Sequence, residues 1–207
     1  MRFENKYAPQ VLADFVFPSD AVERHAMNFI DNDMDRHLLL FGPWGTGKTT
    51  LAKLLPLEVK RKRFPDAEEV FLDLIPGNEF TAEHLPRIKQ TAGMVSFELP
   101  RQLIIVDEAD RVPPKTKQSM KTLIDETERN CSFILCTNYI DDIDPGVRNR
   151  CVEMSFDRWS TDKMVEFAKK VLTRENKLMS DAHIMKIVEK TNGSYRKLLQ
   201  SLELYCV

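Results

Sequence analysis

The stretch GPWGTGKT, Gly42 to Thr49, matches the spacing G-x-x-x-x-G-K-[ST] without a gap. It follows an apolar run, LLLF, and a second threonine, Thr50, comes directly after it. Residues of these types at this spacing suit a loop that wraps a phosphate chain. Gly42, Gly45 and Gly47 let the backbone turn its N–H groups inward, around Thr46. A helix starting at the lysine adds the positive field of its N-terminus. Lys48 can neutralise the outer phosphates as a point charge, and the hydroxyl of Thr49 can sit on Mg²⁺. Trp44 is the odd member, a bulky indole in a loop that otherwise wants small residues.

Four later patterns carry compatible chemistry. LIIVDEAD, Leu103 to Asp110, is an apolar strand ending in acid. Asp107 at its tip can hold Mg²⁺ through water, and Glu108 can polarise an attacking water. LCTN ends the next apolar run at Asn138, whose amide can orient a lytic water or sense a terminal phosphate. A turn-forming asparagine would look the same. DPGVRNRC places Arg148 and Arg150 just before the last strand, where a fixed, always-charged guanidinium could stabilise transition-state charge. GSYRKLLQ puts Arg196 near the start of a late helix. Each arginine read alone is a solvated surface charge.

These residues need elements to bring them together. HLLLF (37–41), VFLDL (70–74), QLIIV (102–106), SFILC (132–136) and, more weakly, VEMSF (152–156) read as strands. Several are nearly continuous in apolar residues, as expected of strands covered on both faces of a parallel sheet. The segments between them are long enough for crossover helices, so the pattern predicts an α/β sandwich. The phosphate loop and the acidic strand end should then meet at the carboxyl edge of that sheet. Pro56 falls inside the helix expected after the loop and should kink or end it.

Past Phe156 the period changes. Met164, Phe167, Ala168, Val171 and Leu172 recur at helical spacing behind Ser160 as N-cap, with Asp162 in the first turn. Ile184, Ile187 and Val188 repeat the pattern behind Ser180 and Asp181. Gly193 breaks the chain before a third helix carrying Leu198, Leu199, Leu202 and Tyr205. The reading is a nucleotide-binding domain over residues 1–156 and a three-helix appendage over 157–207.

Composition sets the limits. The 207 residues are 43% hydrophobic and 30% charged, with a net charge of −2, so a chain-wide basic signature for coating nucleic acid is excluded, though a local stripe is not. The basic run KRKR, Lys60 to Arg63, reads as a solvated face. Cys131, Cys136, Cys151 and Cys206 form no C-x-x-C pair, which disfavours a zinc site and suits reduced thiols in an intracellular protein. No apolar leader opens the sequence and no run reaches the length of a membrane span, so a cytoplasmic protein with no membrane partner is expected.

Taken in order, NKYAPQVLADFVFPSDAV, GPWGTGKTT, IIVDEADRVPPKTKQSMKTLID, CTN, DPGVRNRC and GSYRKLL resemble the AAA+ ATPases. Within them the set looks like a clamp-loader subunit of the replication factor C small-subunit or phage kind, over nearly the whole chain. The DEAD letters also occur in a helicase class, but those helicases work between two tandem RecA-like domains and this chain has room for one. The resemblance implies a RecA-like sandwich followed by a helical lid. It implies ATP and Mg²⁺ as ligands, with Lys48 and Thr49 as the Walker A pair and Asp107 and Glu108 as the Walker B pair. Asn138 takes the place of the first sensor, Arg196 of the second, and Arg150 of the arginine finger that reaches a neighbouring subunit's nucleotide. Tyr7 lies in the segment that flanks the adenine. The helix after DEAD faces DNA in the family, which makes Lys115, Lys117 and Lys121 the basic candidates.

The function implied is an ATP-hydrolysing subunit that helps load a sliding clamp onto primer–template DNA during replication. Its partners would be other loader subunits in a ring or spiral, the clamp and the DNA. The alternatives are another AAA+ replication factor such as a helicase loader, and a nucleotide-binding structural subunit that does not hydrolyse. Three departures stand out. Ala8 replaces an arginine of the familiar KYRP, Trp44 replaces a proline or small residue, and the sequence stops at Val207 where the family continues into a helical collar. A truncated form or a collarless relative is the expectation that follows from the last of these, and the short form suggests a phage-encoded protein.

Overall fold

The computed structural model describes residues 2–70, 72–94, 97–157 and 159–206. A five-stranded sheet, every pairing in it parallel, forms the centre. The strands are β1 (His37–Phe41), β2 (Asp73–Pro76), β3 (Gln102–Asp107), β4 (Cys131–Thr137) and β5 (Cys151–Ser155), in the spatial order β2-β3-β4-β1-β5. The helices are α1 (Phe3–Lys6), α2 (Asp20–Asp31), α3 (Lys48–Arg63), α4 (His84–Ala92), α5 (Pro114–Thr127), α6 (Pro145–Arg148), α7 (Thr161–Arg174), α8 (Asp181–Thr191) and α9 (Tyr195–Cys206).

The continuous apolar runs are explained by burial on two faces. Leu38, Leu40, Leu103, Ile105, Ile134 and Cys136 join one core with residues of α2 and α3. Their chain neighbours Leu39, Ile104, Val106, Phe133 and Leu135 join the other, with residues of α4 and α5. The period-2 alternation of strand side chains assigns successive residues to opposite layers. His37 opens β1 inside this packing. Its Nδ1 accepts the Phe133 N–H at 3.2 Å, and burial pushes its pKa down to about 4.

Two expectations are corrected. The second strand lies at Asp73–Pro76, toward the carboxyl side of the expected 70–74 segment, of which Phe71 lies outside the described residues. Its register is set by pairing with β3 alone, Asp73 opposite Ile104 and Pro76 opposite Asp107. As an edge strand it is only half-buried, so apolar runs mark it poorly, and it tolerates a terminal proline. Second, of the two outcomes expected at Pro56, the end of the helix does not occur, because α3 runs through it to Arg63. Leu54, Leu55, Leu57 and Val59 are buried around it. Packing a whole helical face outweighs the roughly 3 kcal/mol that an interior proline costs.

A third core joins α7, α8 and α9 through Met164, Ala168, Val171, Leu172, Ile184, Val188, Leu198, Leu199 and Leu202. Phe3 and Tyr7 from the amino-terminal segment belong to this core as well. Ser160 caps α7 by accepting the Lys163 N–H at 3.4 Å. Tyr205 is partly exposed, and its hydroxyl donates to the Leu178 carbonyl at 2.7 Å. The four cysteines are free thiols, with Cys131 and Cys136 fully inside. No helix among the described residues is long and apolar enough to cross a membrane.

Candidate nucleotide-binding site

The carboxyl ends of β1, β3 and β4 open onto one cavity of about 400 Å³. At the end of β1 the chain turns through Gly42, Gly45 and Gly47, all with positive φ, and enters α3 at Lys48. Thr46 is buried and closes the loop by donating to the Pro43 carbonyl at 2.8 Å. Gly45 also gives room to the start of α9. A Cβ there would stand 2.5 Å from Ser194 Oγ and 2.9 Å from the Arg196 Cβ. The Arg196 N–H in turn donates to the Gly45 carbonyl at 3.3 Å. The start of α9 thus rests on the tip of the phosphate loop.

Lys48 Nζ donates to the carbonyls of Gly42 and Pro43, each at 2.7 Å, and to Asn138 Oδ1 at 2.9 Å. Burial lowers the pKa of this ammonium, and the nearby Asp107 charge works the other way. Thr49 Oγ1 lies 3.0 Å from both Asp107 carboxylate oxygens. A hydroxyl and a carboxylate side by side make a hard-oxygen pair suited to Mg²⁺, which takes few protein ligands and completes its shell with water and phosphate. Among the described residues no cluster of three or more His, Cys, Asp or Glu offers a fuller metal cage.

Glu108 follows with left-handed backbone, φ +52°. A non-glycine residue held there is strained and is kept by its surroundings. Gly77 supplies part of them, since a Cβ on it would run into the Glu108 carbonyl oxygen. The Glu108 carboxylate pairs with Arg111 at 2.8 Å. Asp110 serves the neighbouring strand. Its Oδ1 accepts from Thr137 Oγ1 at 2.7 Å and from the Asn138 N–H at 3.4 Å.

The rest of the lining mixes polar residues of the amino-terminal segment, Glu4, Asn5 and Asp14, with an apolar wall drawn from both ends of the chain. Tyr7, Ala8 and Pro9 contribute from one side, and Trp159, Phe167, Tyr195 and Leu199 from the carboxyl-terminal segment. Trp159 and Phe167 each pack on the Tyr195 ring, with centroids 4.3 Å and 5.0 Å away. The Tyr7 hydroxyl donates to Glu175 beyond the end of α7, which also pairs with Lys6. Burial and then this carboxylate push the Tyr7 pKa up to about 12.

A family model described as "ATPase family associated with various cellular activities (AAA)" matches residues 38–157, more than half of the chain. The chain belongs to the AAA ATPase family. Family membership implies nucleotide binding. The chain is 28% identical to replication factor C subunit 5 of Mus musculus, over 96% of its own length and 58% of that protein's. It is also 28% identical to replication factor C small subunit 2 of Pyrobaculum islandicum, over 96% of its own length and 62% of that protein's. It therefore spans about three fifths of the length of these relatives. Among solved structures, Thermotoga maritima RuvB shares the fold with a TM-score of 0.74 at 17% identity, over 95% of this chain and 64% of that one.

Within this AAA fold, Gly45, Thr46, Gly47, Lys48, Thr49, Thr50, Asp107, Glu108, Asn138, Tyr7 and Arg196 all line the cavity. Gly42 contributes its carbonyl to Lys48 from just outside. Arg150 does not line it. Its guanidinium forms a two-point pair with Asp125 of α5, Nη2 to Oδ2 at 2.8 Å, and donates to the Gly146 carbonyl at 2.6 Å. Arg148 pairs with Glu153 at 2.9 Å. On α5, Lys115 and Lys121 are exposed, whereas Lys117 Nζ donates to the Asp110 and Asp142 carbonyls at 2.7 and 3.1 Å. Most of the KRKR run is held internally: Lys60 by Glu98, Arg61 by Glu58 and Lys62 by Asp33.

Sequence reasoning missed Trp159, Phe167, Tyr195 and Leu199, because an aromatic or leucine at helical spacing reads as core. It missed Gly77, a lone glycine in PGNEF, and Asp125, one of many helical carboxylates. Asp110 was in view as the last letter of DEAD, but no spacing rule points it at the next strand.

Proposed function

We propose that this chain is an ATP-hydrolysing subunit of a sliding-clamp loader, acting in an intracellular replication assembly with other subunits, the clamp and primer–template DNA. Residues 1–156 form its nucleotide-binding domain and 157–207 its helical lid. The observation that carries the reading is the meeting of Lys48, Thr49, Asp107, Glu108, Asn138 and Arg196 around one cavity. The replication factor C names of relatives matched over 96% of the chain support the choice within the family.

In this reading the loop N–H groups and Lys48 hold the phosphates, and the apolar wall of Tyr7 and the lid takes the adenine. Thr49 and Asp107 would hold Mg²⁺, which when bound neutralises phosphate charge. Glu108 accepts a proton from the water that attacks the terminal phosphorus, ADP departs, and phosphate is formed. Asn138 and Arg196 orient the terminal phosphate. Arg150 lies outside its own cavity, which suits a guanidinium offered to a neighbouring subunit's nucleotide. Lys115, Lys117 and Lys121 are the proposed DNA contacts.

Turnover measured with partner subunits, clamp and primed DNA tests the whole reading. Stimulation of ATP hydrolysis by clamp and DNA together is expected. Binding of a replicative helicase in place of a clamp would favour a helicase loader, and ATP binding without any turnover would leave a structural subunit.

A further inference from the structure

Trp44 occupies a loop position where small residues suffice, and it is not there to fill the core, since 53% of it is exposed. Its indole meets the ring of Tyr139 edge to face, with centroids 5.4 Å apart and planes at 82°. Tyr139 is itself 50% exposed. Two large aromatics are thus kept half in water, touching each other.

Their places in the chain explain the contact. Trp44 sits between Gly42 and Gly45 of the phosphate loop and lines the cavity. Tyr139 follows Asn138 directly, and its backbone is tied down. Its N–H donates to Thr137 Oγ1 at 3.0 Å, and that hydroxyl bonds Asp110 at 2.7 Å. The Tyr139 backbone is thus fixed to the strand end that carries Asn138, and Trp44 is the aromatic partner of its ring. The backbone beside Trp44 is held as well, since the Gly45 carbonyl accepts the Arg196 N–H at 3.3 Å. The ring pair bridges two loops whose other direct side-chain link is Lys48 to Asn138 at 2.9 Å.

We propose that Trp44 and Tyr139 are positioning residues, an aromatic clasp that holds Asn138 in register with the phosphate loop and so lets the site tell a nucleoside triphosphate from a diphosphate. The inference rests on the reading of the cavity as an ATP site with Asn138 toward the terminal phosphate. An edge-to-face pair shifts an equilibrium by about two- to tenfold. That range suits the tuning of a loop better than the building of a core. Tyr139 does not line the cavity, so it acts on the nucleotide only through Asn138.

The test compares affinities for ADP and a non-hydrolysable ATP analogue by calorimetry on the full chain. Tyr139→Ala should lower the triphosphate-to-diphosphate affinity ratio by about two- to tenfold, and Tyr139→Phe should restore it. In a Trp44→Ala background, Tyr139→Ala should have no further effect. Asn138→Ala should lower the ratio at least as far. If Tyr139→Ala leaves the ratio unchanged while Asn138→Ala lowers it, the clasp is refuted and the ATP-site reading stands. Additive losses, or no rescue by phenylalanine, also overturn the clasp. If the wild-type chain binds neither nucleotide, both ideas fall together. Thermal melting of each variant without nucleotide separates misfolding from repositioning. Should Tyr139→Ala unfold, Tyr139→Leu, which keeps bulk without a ring, replaces it and should show the same lowered ratio.

Discussion

Lys48 and Asn138 stand 90 positions apart in the chain and are joined by a 2.9 Å hydrogen bond from ammonium to amide oxygen. The bond links the loop after β1 to the end of β4. Two loop carbonyls complete the cradle, so the buried ammonium is fully engaged, and in the proposed ATP site it would exchange partners for phosphate. Lys48→Met keeps the aliphatic stem and removes the charge. Nucleotide affinity should fall by at least about 100-fold, because a buried charge-assisted contact to phosphate is lost. The melting temperature without nucleotide should drop by no more than about 5 °C, since losing the desolvation cost offsets the lost hydrogen bonds. Calorimetry and thermal melting measure the two effects separately.

Glu108 gives a sharper split between binding and chemistry. Glu108→Gln preserves shape and removes the proton acceptor, so turnover in the assembled complex should fall by about 100-fold or more with ATP affinity nearly unchanged. Gly77→Ala attacks the same residue from behind, by driving a methyl group into its carbonyl. It should cost about 1–3 kcal/mol of stability and lower turnover as well. Denaturant titration and steady-state hydrolysis distinguish the two variants. Full turnover by Glu108→Gln would remove it from the general-base role.

Much of this architecture was legible in the residues. Buried parallel strands announce themselves as apolar runs, and four of the five fall within a residue of where the runs put them. The phosphate loop, the acid after β3 and the asparagine after β4 are each anchored to a strand end, so locating the strand locates the residue. The second strand was misplaced because an edge strand is half-buried and its register comes from Ile104 to Asp107 on its partner, not from its own composition. The lid wall was illegible for a different reason. Phe167 and Leu199 carry the same helical spacing as Met164 and Leu202, and only tertiary packing decides which of them faces the cavity. The partners of charged groups were hidden too. Arg61 pairs with Glu58 one turn earlier in α3, but nothing in the run Lys60 to Arg63 tells that Lys60 and Lys62 are held by the distant Glu98 and Asp33.

Arg150 is held by Asp125 in a two-point pair, which lowers the carboxylate's pKa and raises the guanidinium's. Asp125 is exposed and Arg150 is half-buried, so the pair organises the side chain and contributes little to stability. Arg150→Ala should spare ATP binding and abolish DNA-stimulated hydrolysis in the assembled oligomer. Asp125→Ala frees the guanidinium without removing it, so assembled turnover should fall by less, about tenfold. Mixing Arg150→Ala subunits with Lys48→Met subunits provides the check. Recovery of hydrolysis in the mixture is expected only if the arginine acts across the interface. Full hydrolysis by Arg150→Ala alone would remove it from that role.

His37 makes the fold sensitive to acid in a defined window. Its folded pKa of about 4 lies below the ordinary 6.5, because burial disfavours the imidazolium. The unfolded chain therefore binds the extra proton between those values, and stability rises with pH across them. Read downward, the contribution is intact above about pH 6.5 and is lost progressively toward pH 4. At pH 5 the loss from this one group should be about 2 kcal/mol. Carboxylates titrate nearby in pH, so the measurement has to be differential. His37→Asn keeps a short polar side chain that can accept the Phe133 N–H but takes up no proton. Wild type and variant should differ by a constant amount above pH 7, and the gap should move by about 2 kcal/mol in the variant's favour by pH 5. Urea unfolding at a series of pH values reads this directly, and parallel curves down to pH 5 would show that the imidazole ionises inside the fold at little cost.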